Sequence, residues 1–221
     1  MLSIIVPTLN AAQTLAATLE SLSAWDSDAE IIVVDGGSSD NTIAIANSFD
    51  TRVVSGPRGR GSQLAEGARL AVGDWLMFLH ADTLLSKEWP NTVHALITNH
   101  TMTAGYFRFR LNDDSISARR LERNVAWRCR TLGWPFGDQG LVISRRHYEI
   151  VGGYKYIPLM EDIDLIRRLG RKNVTNLPAD AITSAAKFQR EGYWMRSSRN
   201  VTCLCLYLIG VPPHWLKRLY G

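Results

Sequence analysis

The run Trp75-Leu76-Met77-Phe78-Leu79, ending abruptly in His80-Ala81-Asp82, constrains this chain more than any other stretch. Five apolar residues without alternation fit a strand buried on both faces of a parallel sheet. In open α/β sheets ligands bind just beyond the carboxyl ends of such strands, so His80 and Asp82 fall where chemistry is expected. An isolated aspartate there would equally serve as a cap for the next turn. The pattern of the other strands decides between the two readings.

Ser3-Ile4-Ile5-Val6, closed by Pro7, predicts a first strand, because proline cannot donate to a central ladder. Asn10 stands three residues before Gln13, the spacing of an N-cap and its reciprocal partner. Leu15, Leu19 and Leu22 then form one helical stripe. Residues 31–34 predict a second strand running into Asp35-Gly36-Gly37-Ser38-Ser39-Asp40, with Asp40-Asn41-Thr42 as caps for a second helix. A short strand at 52–55 precedes Gly56-Pro57-Arg58-Gly59-Arg60-Gly61-Ser62, a basic glycine-rich loop before a helix over 63–72. Helix N-termini present free amides, so such a loop can hold phosphate. Leu64 stands where a dinucleotide fingerprint needs glycine, which weakens a Rossmann cofactor reading. A helix over 86–98 completes four strand–helix alternations. The expected fold class is therefore α/β: a doubly wound, mostly parallel Rossmann-like sheet with helices on both faces.

Beyond residue 103 the character changes. Residues 104–111 alternate, predicting a strand with one wet face that carries Arg108 and Arg110. A long basic helix over 115–132 follows, with Arg119, Arg120, Arg123, Arg128 and Arg130 read as a solvated face or as a phosphate or acidic-lipid surface. After an aromatic, glycine-rich loop at 133–140 comes a strand at 141–144. Then Glu161, Asp162 and Asp164 crowd one helix start. Acids suit a helix N-terminus, but three in four residues repel one another beyond what capping requires. On a helix Glu161 and Asp164 share a face from which Asp162 points away. The tail predicts a helix over 195–209, apolar around much of its circumference. Packing back on the domain, forming a homodimer and lying on a membrane surface each satisfy it.

Composition limits the function classes. With 46% hydrophobic and 21% charged residues the 221-residue chain is globular, and its net charge of +4 suits an anionic ligand without a nucleic-acid signature. Cys129, Cys203 and Cys205 form no C-x-x-C pair, which points to a reducing cytoplasm. Neither a signal peptide nor a membrane-spanning segment is expected.

Five segments in order resemble the family-2 glycosyltransferases of GT-A fold: residues 3–10, 31–42, 73–82, Arg145-Arg146 with Gly152-Gly153-Tyr154, and 161–165. Phe78-Leu79-His80-Ala81-Asp82-Thr83 and Arg190-Glu191-Gly192-Tyr193-Trp194 resemble a subgroup, the radical-SAM/selenodomain-associated transferases linked to arsenosugar biosynthesis. The resemblance implies a single sugar transfer, with inversion, from a nucleoside-diphosphate sugar. The donor would meet Pro7, Thr8, Asn10, Asp35, Gly36, Arg58, Arg60, Gly61, Gln63, His80, Ala81 and Asp82. Mg²⁺ or Mn²⁺ would sit at Asp82, with His80 as a second ligand. Asp162 would be the base and Glu161 would orient the acceptor, with Gly137, Asp138, Gln139 and Asp164 on the acceptor side. It further implies a glycosyltransferase domain over 1–185, divided near 110 into nucleotide and acceptor halves, and a helical appendage over 186–221. The family's usual Asp-Asp-Gly-Ser here has Gly36, and its Asp-x-Asp has His80. Two other functions fit the same fold: a nucleotidyltransferase, or a non-catalytic nucleotide-sugar or membrane-surface binding module.

Overall fold

A computed structural model describes residues 1–99 and 102–220. Its strands are β1 (Leu2–Thr8), β2 (Ala29–Asp35), β3 (Arg52–Ser55), β4 (Trp75–Phe78), β5 (Thr83–Leu85), β6 (Ala104–Leu111), β7 (Leu141–Ser144) and β8 (Val174–Thr183). They form one sheet in the order β3-β2-β1-β4-β7-β6-β8-β5. β3, β2, β1 and β4 are parallel neighbours, and β6 with β8 is a second parallel pair. β7 runs antiparallel between β4 and β6, and β5 closes the far edge antiparallel to β8. The expected doubly wound, mostly parallel α/β sheet is what the chain forms.

The helices are α1 (Leu15–Leu22), α2 (Thr42–Asn47), α3 (Arg60–Leu70), α4 (Trp89–Asn99), α5 (Ile116–Leu132), α6 (Arg145–Ile150), α7 (Glu161–Leu169), α8 (Ala186–Glu191), α9 (Tyr193–Leu208) and α10 (Pro213–Tyr220). Side chains on a strand alternate between faces, so β1 and β4 feed two cores. Ile4, Val6 and Met77 meet Leu15, Leu19, Trp89 and Val93 on one face of the sheet. Ile5, Leu76 and Phe78 meet Leu64, Ala68, Leu165 and Ile166 on the other. Because β4 is committed on both faces, only its exit can be polar.

Two expectations are corrected, and one strand was not foreseen. Asn10 does not cap α1, which starts only at Leu15. Asn10 adopts a left-handed conformation (φ 52°), and its Oδ1 accepts the Ser39 amide at 2.9 Å. It ties the β1 exit to the β2 exit instead. α3 starts at Arg60 rather than at residue 63, so the basic loop is partly its first turn. The strand β8 had no sequence prediction, since Pro178 and Asp180 interrupt its apolar positions. The register jumps from Phe107↔Leu177 to Arg108↔Asp180, which places Pro178, without an N–H, in the irregularity.

The tail packs back. Cys203 and Leu204 of α9 and Leu216 of α10 are buried with Leu159, Met160 and Ile163 at the start of α7. Burial of a leucine is worth about 1.5–3 kcal/mol, so Leu204 and Leu216 hold the tail in place. No helix among the described residues is long and apolar enough to cross a membrane.

Candidate active site

A cleft of about 130 Å³ opens beyond the carboxyl end of β4, lined by Arg60, His80, Asp82, Gly137, Asp138 and Asp162 together with residues of the tail. The chain brings these groups in from four directions. β4 delivers His80 and Asp82, the first turn of α3 delivers Arg60, the turn before β7 delivers Gly137 and Asp138, and α7 delivers Asp162. Met160, at φ 66°, turns the chain sharply into α7. A left-handed conformation is costly for a methionine, and burial against Leu204 and Leu216 helps to hold it.

Gly137 is the point of convergence. A Cβ there would lie 2.8 Å from His80 Nε2 and 3.4 Å from Asp162 Oδ2, so both side chains face the bare side of this glycine. Its amide donates to Asp162 Oδ2 at 2.7 Å. Asp162 is thereby aimed into the cleft, while its two acidic neighbours are engaged elsewhere. Glu161 is 1% exposed and accepts from Arg60 Nε. It therefore holds Arg60 at the cleft wall rather than meeting an acceptor directly. Asp164 lies outside the cleft, bonded to Lys155 Nζ at 3.1 Å and Arg168 Nη2 at 2.6 Å. The i,i+4 arginine draws it to the outer face of the helix, away from the cleft that Asp162 lines.

Two buried polar atoms in the cleft, His80 Nε2 and Asp138 Oδ1, have no hydrogen-bond partner. Burial, reinforced by the nearby charges of Arg60 and Lys187, drives the His80 pKa well below its ordinary value, so the imidazole is neutral. Burial pushes the Asp138 carboxyl up to about 6, with the charges of Asp162 and Asp82 adding to the rise and Arg128 and Arg60 opposing it. Asp82 is 29% exposed, and Lys187 Nζ stands 3.9 Å from its Oδ2.

These residues fit a divalent cation that is shared with its ligand. Among the described residues no three His, Cys, Asp or Glu side chains cluster to hold a metal alone. A reachable carboxylate at Asp82 and a neutral, unpartnered imidazole nitrogen at His80 supply part of a coordination shell. Diphosphate oxygens would complete it, and such an oxygen-rich set suits Mg²⁺ or Mn²⁺.

Thr8, Asn10, Asp35 and Gln63, expected at the donor, form a separate, closed network at the exits of β1 and β2. Asp35 is buried and accepts from Thr8 Oγ1 at 3.1 Å, the Gly37 amide at 2.9 Å, the Ser38 amide at 2.8 Å and the Ser38 hydroxyl. Burial works to raise its pKa, but hydrogen bonds from Ser38, Gly37 and Thr8 outweigh it and leave the carboxyl below its ordinary value. Gln63, expected at the donor, is a buried bolt: its Nε2 donates to Thr8 O and Val34 O, both at 2.7 Å. This accounts for Gly36, where an added Cβ would come within 3.0 Å of Gln63 Nε2. The Gln63 amide fills the space that an acid at position 36 would need.

Gly61 is likewise structural. A Cβ there would meet the carbonyls of Lys155 and Ile157 at 2.7 and 2.9 Å, so the start of α3 is packed against the segment leading into α7. Arg58 is exposed, and Ala81 and Pro7 are buried parts of the frame. Gln139, expected on the acceptor side, is buried, with Nε2 donating to Phe107 O at 3.1 Å and Oε1 accepting from the Phe136 amide at 3.2 Å. The tail residues Lys187, Arg196, Asn200 and Tyr220 line the cleft although nothing in the sequence marked them. Their only hint was the likeness of residues 190–194 to the transferase subgroup.

A mostly parallel α/β sheet with a polar cleft at the exit of its central strand is the architecture of the GT-A glycosyltransferases. The chain belongs to glycosyl transferase family 2, whose model matches residues 3–156. It is 41% identical over 109 residues to a PGL/p-HBAD biosynthesis glycosyltransferase of Mycobacterium bovis, a stretch covering 45% of this chain and 43% of that protein. The match thus spans less than half of that relative. Glucosyl-3-phosphoglycerate synthase from Mycobacterium tuberculosis, solved with Mn²⁺, UDP and glucosyl-3-phosphoglycerate, superposes with a TM-score of 0.67 at 20% identity, covering 96% of this chain and 81% of that one. A mannosyltransferase from Pyrobaculum calidifontis, solved with GDP-Man and Mn²⁺, gives 0.67 at 19% identity, covering 99% and 67%.

Proposed function

We propose that this chain transfers one sugar from a nucleoside-diphosphate sugar to an acceptor hydroxyl, with inversion at the anomeric carbon. The observation that carries the reading is the selective freeing of Asp162. Of the three acids in the first turn of α7, Asp162 alone is aimed into the cleft, by the Gly137 amide. In the proposed step the acceptor oxygen attacks the anomeric carbon, the bond to the diphosphate breaks, and the hydroxyl proton passes to Asp162. Asp82 and His80 would hold a divalent cation, which would neutralise charge on the leaving diphosphate. Arg60, fixed by Glu161, adds a permanent positive charge on the same side. Solved relatives of this fold that hold Mn²⁺ with UDP or GDP-Man support the donor class.

At a finer level, the resemblance of residues 78–83 and 190–194 to the arsenosugar-linked transferases supports a small-molecule acceptor of that chemistry. The composition and cysteine usage support a cytoplasmic setting. Exposed Trp194, Met195, Trp215 and Leu219, beside Lys217 and Arg218, support peripheral contact with a membrane face.

Asp162→Asn tests the reading, because a general base typically contributes about 10²–10⁴-fold. The variant should bind nucleotide as the parent does and lose turnover by about that factor in a donor-consumption assay. Turnover at the parental rate would remove Asp162 from the mechanism.

A further inference from the structure

A groove of about 520 Å³ with no assigned function lies between β6 and α5. It lies behind the short turn Gly137–Gln139, so that Asp138 lines the cleft and Gln139 lines the groove. Five arginines and a single glutamate line it; beside the groove Asp180 pairs with Arg108 at 2.7 Å and with Arg110 at 3.7 Å, and Asp114 pairs with Arg119, so the unbalanced positive charge rests on Arg123 and Arg130.

The arginines are organised rather than merely present. Glu122 is buried at the base, where its carboxylate accepts from Arg110 Nη1 at 2.8 Å, Arg119 Nη1 at 2.7 Å and the Leu111 amide at 2.9 Å. Burial opposes ionisation of Glu122, but these three donors prevail and hold its pKa below the ordinary value. One carboxylate thus fixes two guanidinium groups. Arg123 and Arg130 have no acidic partner among the described residues; Arg123 Nε only reaches the Arg119 carbonyl, at 3.3 Å. Phe109 and Tyr106 are buried beside them. Burial pushes the Tyr106 phenol up to about 12, so it stays neutral and able to donate. Like charges gathered in a concave surface repel one another unless an anion joins them. Guanidinium forks match phosphate oxygens in geometry as well as in charge.

We propose that this groove is a binding site for a phosphate-bearing anion, separate from the candidate active site, with Arg123 and Arg130 as its free ligands. The phosphate can belong to a soluble metabolite or to a lipid headgroup. The two sources share the same recognition chemistry.

The test uses the full chain and the double variant Arg123→Ala with Arg130→Ala, with Arg130→Glu as a second variant. Both side chains are exposed and free of ion pairs, so the fold should survive; a parental melting temperature and parental donor turnover check this. Titration calorimetry with inorganic phosphate and pyrophosphate, without divalent cation, reads the soluble source. Flotation with phosphatidylglycerol–phosphatidylcholine vesicles, against phosphatidylcholine alone, reads the lipid source. Loss of two charge-assisted contacts should weaken binding by at least about tenfold. Phosphate or pyrophosphate binding that drops in both variants supports a soluble ligand. Binding confined to the anionic vesicles, with the same drop, supports a lipid headgroup. Absence of binding to every probe, or binding equally strong in the double variant, overturns the proposal. Donor turnover by the parent chain is measured independently, so failure of the groove and failure of the transferase reading are separable.

Discussion

Two groups of polar residues lie at the same edge of the sheet and have opposite fates. At the exits of β1 and β2, Thr8, Asn10, Asp35, Ser38 and Gln63 satisfy one another. At the exit of β4, His80 Nε2 and Asp138 Oδ1 are buried without partners, among carboxylates that repel. A buried polar atom without a partner costs about 1–3 kcal/mol. The first group therefore contributes to stability, and the second draws on it. Strain of that kind persists where a ligand is meant to complete the shell. The contrast separates polar residues that are already satisfied by the fold from polar residues left open to a ligand.

Substitutions should break this contrast in opposite directions. The largest expected effect is functional. Asp82→Ala should weaken Mn²⁺-dependent binding of nucleotide by more than about tenfold, while the melting temperature holds or rises because a like charge is removed. Calorimetry with and without Mn²⁺ reads the first and a thermal melt the second; equal Mn²⁺-dependent affinity in the parent and the variant would remove Asp82 from the metal site. On the other side, Gln63→Leu should cost about 2 kcal/mol in denaturant unfolding, since two buried carbonyls lose a donor. Metal-dependent binding should suffer only through that loss.

Gly36→Asp, which restores the usual family acid, should destabilise by about 1–3 kcal/mol through overpacking against Gln63. Adding Gln63→Ala should recover part of that loss if the clash is the cause. Additive losses in the double variant would mean that Gln63 does not exclude the acid. The smallest effect concerns pH. The folded pKa of Asp35 is depressed, so it contributes stability above the unfolded value of 3.8 that is lost as pH falls through the folded one. Asp35→Asn should flatten the acid limb of the stability curve below about pH 4, as followed by denaturant midpoints; a limb as steep as the parent's would place the acid sensitivity elsewhere.

Much of this molecule was legible before its structure. The uninterrupted run into His80 and Asp82 placed β4 and its exit, because a strand buried on both faces leaves no polar position before its end. The alternation at 104–111 placed β6 and the basic apolar-striped run over 115–132 placed α5; that Ser115 Oγ caps this helix by accepting the Ala118 amide at 3.2 Å was seen only in the structure. β8 was not legible, because a proline in a bulge resembles the end of a strand.

The resemblance pointed to Asp162, but what engages the other two acids of the 161–164 cluster was visible only in three dimensions. A sequence shows three carboxylates at one helix start. The partners that consume Glu161 and Asp164 come from Arg60, about a hundred positions away, and from Lys155 and Arg168 nearby. The same holds for Gln63 and Gln139, whose side-chain amides are taken up by buried backbone groups, and for Lys187 and Tyr220, which read as tail and line the cleft. Local periodicity and capping fix elements, since they depend on neighbours along the chain. The availability of a side chain depends on every group that can reach it through space, and that is decided only when the chain has closed on itself.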